Sequence, residues 1–80
     1  AIAFTYTVTN VSTGAPIEGV EVTITTDSAG NNVIWNGDTD TLGVARDDNG
    51  ILPYLDPGVY YFWSQKASFS FANPDTETVS

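Results

Sequence analysis

The chain contains neither cysteine nor histidine. Without cysteine, no disulfide can staple a domain of 80 residues, a length near the lower limit for an unaided core, and no thiolate metal site can form. Without histidine, the usual zinc ligand, the usual general base and every His-containing triad are missing. Basic side chains are almost absent too: Arg46 and Lys66 stand against ten acidic residues, for a net charge of −8. Such a chain repels phosphate backbones and anionic lipid, which argues against nucleic-acid binding. An acidic balance suits solubility, a saline habitat or cation binding. No apolar run reaches the roughly eighteen residues of a membrane-spanning helix, so no membrane insertion is expected. No signal peptide is visible. The lack of disulfides fits a microbial or viral surface protein as well as a cytosolic one.

What is present is strand pattern. In IAFTYTVT (residues 2–9), Ile2, Phe4, Tyr6 and Val8 alternate with small or polar residues, the period-two signature of a half-buried strand. GVEVTITT (19–26) alternates again, with Val20, Val22 and Ile24 on one side and Glu21, Thr23 and Thr25 on the other. VIW (33–35) reads as a short strand stopped by Asn36-Gly37, a turn dipeptide. Further strands are expected over 44–47, over 59–65 after the turn Asp56-Pro57-Gly58, over 67–72 with Phe69 and Phe71 on one side, and over 76–80. Nothing reads as a helix. Short strands at roughly ten-residue spacing, divided by Gly, Pro and Asn, predict one β-sandwich domain over residues 1–80. The start at Ala1, already strand-like, suggests a piece excised or processed from a longer surface or structural protein.

Four stretches stand in a fixed order: TGAPIEGVEVTI (13–24), TDTLGVA (39–45), LDPGVYYFW (55–63) and ASFSF (67–71). Together they resemble the carboxypeptidase regulatory-like domains and the related Cna protein B-type domains of bacterial surface proteins, over residues 8–71. The resemblance implies an all-β, transthyretin-like sandwich of about seven strands. It also implies that Tyr60 and Phe62 face the core. Many B-type domains carry an internal Lys–Asn isopeptide bond promoted by an acid. Here the first strand has no lysine, and the position corresponding to the acid is Ser64, so that bond is chemically excluded.

Several residue groups are candidates for function. Asp38, Asp40, Asp47, Asp48 and the Asn49 carbonyl are close in sequence and could hold a calcium ion, a hard cation that prefers oxygen ligands. The competing reading has Asp40 capping a turn and the others solvated. Asn10-Val11-Ser12 matches the acceptor pattern for N-glycosylation, a short pattern that occurs often by chance. No nucleophile has a visible base, so the domain reads as non-enzymatic.

The run Val59-Tyr60-Tyr61-Phe62-Trp63 poses the sharpest question, because it puts apolar groups on both faces of one strand. With Tyr60 and Phe62 inward, Val59, Tyr61 and Trp63 face outward. Three uses compete: cover by a loop of the domain itself, such as the one holding Trp35; packing on a neighbouring β-domain or like subunit; or a platform for a glycan built from Tyr61, Trp63 and Trp35. The expectation is a structural module of an extracellular assembly on a cell surface, filament or virion. A carbohydrate-binding module and a calcium-stiffened spacer are the alternatives.

Overall fold

The computed structural model of the chain describes residues 1–71 and 73–80. Seven strands follow one another: β1 (Ile2–Ala3), β2 (Glu21–Thr25), β3 (Val33–Thr39), β4 (Ala45–Arg46), β5 (Tyr54–Leu55), β6 (Gly58–Gln65) and β7 (Asp75–Val79). They form two antiparallel sheets, one of five strands in the order β4-β3-β2-β6-β7 and one pairing β1 with β5. There is no helix among the described residues. The protein is an all-β chain folded as a small β-sandwich.

Period-two alternation builds the core as expected. Ile24 sits opposite Trp35 on one side and Phe62 on the other, so these three share a face. Val20, Val22, Ile24 and Phe62 are fully buried, each contributing about 1.5–3 kcal/mol relative to an exposed side chain. The second layer is the extended N-terminal segment with β5. From it Phe4 and Tyr6 lean on Phe62, at ring-centroid separations of 5.5 and 4.3 Å. Val8, Ile17 and Leu55 complete that wall.

Three of the predicted strands differ in the fold. The N-terminal segment stays extended to Thr9 but is regular only over Ile2–Ala3, because it changes partner along its length. The Phe4 N–H donates to the Pro53 carbonyl, Ala45 N–H to Tyr6, Val8 N–H to Gly43, and Ile17 N–H to Val8.

β3 does not stop at Asn36-Gly37 but runs on to Thr39. Gly37 is buried there, and a Cβ would collide with the Arg46 carbonyl and the Trp35 ring. The glycine lets two strands and an indole approach closely, and no turn is needed.

Residues 67–71 form no strand. Phe69 N–H closes a turn onto the Lys66 carbonyl at 3.1 Å, and Ser68 has a positive φ of 71°. The Asn73 side chain then bonds both the N–H and the C=O of Ser64, each at 2.9 Å, as a strand neighbour would. Ala72, the last residue of that predicted strand, lies outside the described residues.

The outer face of the five-stranded sheet as a candidate functional site

Strand β6 resolves its own aromatic run. Tyr60 and Phe62 point inward, and the Tyr60 hydroxyl donates to the Asp56 carbonyl at 2.8 Å. Val59, Tyr61 and Trp63 lie on the opposite face, where register sets each beside threonine. Val59 is opposite Thr78, Tyr61 lies between Thr25 and Thr76, and Trp63 is opposite Thr23. Val59 is 50% exposed and Tyr61 is half-buried. No charged residue occupies these outward positions at the β6–β7 end. Charge returns at the other end of the face, where Glu21 pairs with Asp38 and with Gln65.

Trp63, half-buried like Tyr61, is tied down by its indole edge. Its indole N–H donates to the Thr25 hydroxyl at 2.9 Å, and that hydroxyl donates to the Asp27 carbonyl at 2.8 Å. The Asp27 carboxylate accepts from the N–H groups of Asn31 and Asn32, at 3.0 and 2.8 Å. These bonds hold its carboxyl below the usual carboxylate range. They fold residues 27–32 back over the sheet, so that a Cβ on Gly30 would stand 3.1 Å from the indole. A loop of the domain therefore covers Trp63, and it is the loop preceding β3.

Trp35 is not on this face. Its pairing with Ile24 puts it on the core side, packed against the buried cluster. The expected grouping of Trp35 with Val59, Tyr61 and Trp63 thus separates into one inward tryptophan, one loop-covered tryptophan, and the pair of exposed Val59 and half-buried Tyr61. The threonines around that pair, Thr25, Thr76 and Thr78, are functional neighbours that strand periodicity alone does not point to. Their signal was present in EVTITT and TETVS, where threonine recurs at every second position.

The acidic loops do not assemble into a cation site. Asp40 accepts the N–H groups of Leu42 and Val44 through Oδ1, at 2.9 and 3.0 Å, and the Arg46 guanidinium through Oδ2, at 2.8 Å. The arginine, then the backbone N–H of Val44, hold its carboxyl below the ordinary range. Asp47 accepts the N–H groups of Asn49 and Ile51, while Arg46 also donates to the Gly50 carbonyl at 3.0 Å. Asp38 lies in β3 opposite Glu21, and Asp48 and Asn49 are exposed in the turn. Among the described residues no three acidic groups lie close enough to share an ion. The expected set of Asp38, Asp40, Asp47, Asp48 and Asn49 is thus divided between two turns and a strand, because turn N–H groups and Arg46 already occupy the two best-placed carboxylates.

Asn10 caps its own turn, its side-chain oxygen accepting the Ser12 N–H at 2.8 Å. On the core side of β7, Asp75 accepts from the Tyr6 hydroxyl at 2.7 Å. Burial, and then Asp75, push that phenol's pKa up, so it stays a proton donor. Compared with known protein families, curated proteins and solved structures, the chain matches none.

Proposed function

We propose that the domain is a non-catalytic structural module of an extracellular assembly, such as a surface array, a filament or a virion appendage, acting by packing against neighbouring β-domains or like subunits. The observation that carries this reading is the uncharged end of the outer sheet face. On a chain of net charge −8, Val59, Tyr61, Thr76 and Thr78 form a patch free of charged side chains, in which Val59, Thr76 and Thr78 are exposed and Tyr61 is half-buried. Interface cores are depleted in charge and enriched in tyrosine, and the face of one β-sheet can pack on that of another. The resemblance to surface-protein modules supports the same reading.

The glycan platform is less well supported by the geometry. A sugar-stacking surface needs open aromatic faces, and Trp63 has its indole edge bonded to Thr25 and Gly30 against its ring. Trp35 lies on the other side of the sheet.

Light scattering on the purified chain after size exclusion, with electron microscopy of the same sample, tests the proposal. Association that disappears in Val59→Glu and Tyr61→Glu supports it. Association of wild type and both variants to the same extent overturns it. Tryptophan quenching by glycans, lost in Trp63→Ala, would favour the carbohydrate reading instead.

A further inference from the structure

Among the described residues, one edge of the extended N-terminal segment makes no backbone hydrogen bond. Residues Phe4, Tyr6 and Val8 turn their backbone groups toward Pro53, Ala45, Gly43 and Ile17. Thr7 faces Val44 and Thr9 faces Pro16 as bridges in which the neighbouring residues make the bonds. In such a pair the bridge residue's own N–H and C=O point the other way. The N–H and C=O groups of Thr5, Thr7 and Thr9 therefore project from the opposite edge, and none finds a backbone partner among the described residues. Beyond that edge at Thr7 and Thr9 lies a cleft of about 300 Å³, walled by Ser64, Phe71, Asn73 and Asp75. Phe69, Ser70 and Phe71 border a second, smaller cleft beside Thr9 and Val11 and form no strand there, the chain having turned at Ser68.

We infer that this edge pairs with the same edge of a second copy, antiparallel about a two-fold axis. The groups to be satisfied are alternating backbone donors and acceptors, so the occupant is an extended strand. Charge selects which strand. Residues 2–17 carry no charged side chain and form the longest such stretch in the chain. The two outer strands of the larger sheet carry Arg46 on β4, and Asp75 and Glu77 on β7, the kind of charge that blunts an edge. Two copies of a chain of net charge −8 meet with least repulsion along their uncharged strands.

In the pairing, Thr5 of each copy lies opposite Thr7 of the other, and Ala3 opposite Thr9. Each copy's residues 3–5 then fill the other's cleft, and exposed threonines face one another across the new ladder. The contact is isologous and closed. It is separate from the outer face proposed above, so a module holding both surfaces joins neighbours by edge and by face.

Thr7→Pro is the selective test. It removes the outward N–H and leaves every hydrogen bond of the domain's own fold in place. Sedimentation equilibrium is run up to about 1 mM protein, the range of a weak complex. Backbone amide exchange is followed at low and high concentration. The expected result is a dimer in which the amides of Thr5, Thr7 and Thr9 gain protection with concentration. Thr7→Pro should weaken it roughly 10- to 100-fold, two N–H···O bonds being lost per dimer. Thr7→Glu, which places a like charge in each strand without altering the backbone, should weaken it as well. A wild type that stays monomeric across this range overturns the inference. So does a dimer that survives Thr7→Pro and Thr7→Glu. If that dimer is lost in Tyr61→Glu, the outer-face reading stands while the edge inference fails; loss only in the Thr7 variants gives the reverse.

Discussion

Replacing Thr39 by valine should destabilise the domain although it adds an apolar group to the core. Thr39 is 4% exposed at the end of β3. Its hydroxyl donates to the Ile17 carbonyl at 2.6 Å and accepts the Val20 N–H at 2.9 Å. Those bonds, with the backbone pairs Gly19 N–H to Thr39 and Thr39 N–H to Val20, tie the 17–20 connection to the sheet. Valine matches threonine in volume, so packing is nearly constant and the hydroxyl is the variable. Its loss orphans one buried donor and one buried acceptor, each worth about 1–3 kcal/mol when unsatisfied. Allowing for partial relaxation, the expected loss is about 2–4 kcal/mol. At roughly 0.05–0.15 kcal/mol per residue, the whole domain has about 4–12 kcal/mol, so the effect is a large share of its stability. Thr39→Ser keeps the hydroxyl, drops only the methyl group, and should cost about 1 kcal/mol. Urea unfolding followed by tryptophan fluorescence measures both, the difference appearing as a midpoint shift at constant slope. If the valine variant is within 0.5 kcal/mol of wild type while the serine variant is worse, the methyl group and not the hydroxyl holds this corner, and the reasoning fails.

Gly30→Ala puts a Cβ 3.1 Å from the Trp63 indole at a backbone φ of +79°, and should cost about 1–2 kcal/mol and shift Trp63 emission to the red as the loop lifts. Phe62→Ala, at the fully buried meeting point of Phe4 and Tyr6, should cost about 3–5 kcal/mol in the same urea assay. Asp27 and Asp40 have folded-state pKa values lowered by their hydrogen-bond donors, so the stability they give is present above the unfolded value near 3.8 and is lost as pH falls through the lower folded values. Stability measured from pH 6 down to pH 2 should therefore fall in the acid limb, and Asp27→Asn with Asp40→Asn should flatten it; Glu77, whose pKa is raised by burial, works in the opposite direction. The melting temperature should be the same in calcium and in chelator, because Asp40 and Asp47 are held by turn N–H groups and Arg46; a calcium-dependent rise would restore the cation reading.

Strand class and most of the core are legible in the residue pattern alone. Alternation in GVEVTITT encodes which side chains point inward, because a strand offers only two faces and one must leave water. The period of two also puts Val59, Tyr61 and Trp63 on one face of their strand, and the fold makes that face the outer one. Tertiary structure decided how long each strand is and what each outward residue meets. Asn36-Gly37 carries a strong turn signal, yet the glycine is used where Arg46 and Trp35 press on the backbone, a contact local pattern does not encode. ASFSF alternates like a strand, but the turn at Ser68 and the Asn73 side chain on Ser64 remove its place in the ladder. Trp63 and Trp35 look alike in the sequence. Only the register opposite Ile24, and the Asp27 bonds that fold the 27–32 loop, put one against the core and the other under a lid of the domain's own chain. Periodicity is a property of neighbouring residues, whereas partner, cover and open edge depend on residues tens of positions away.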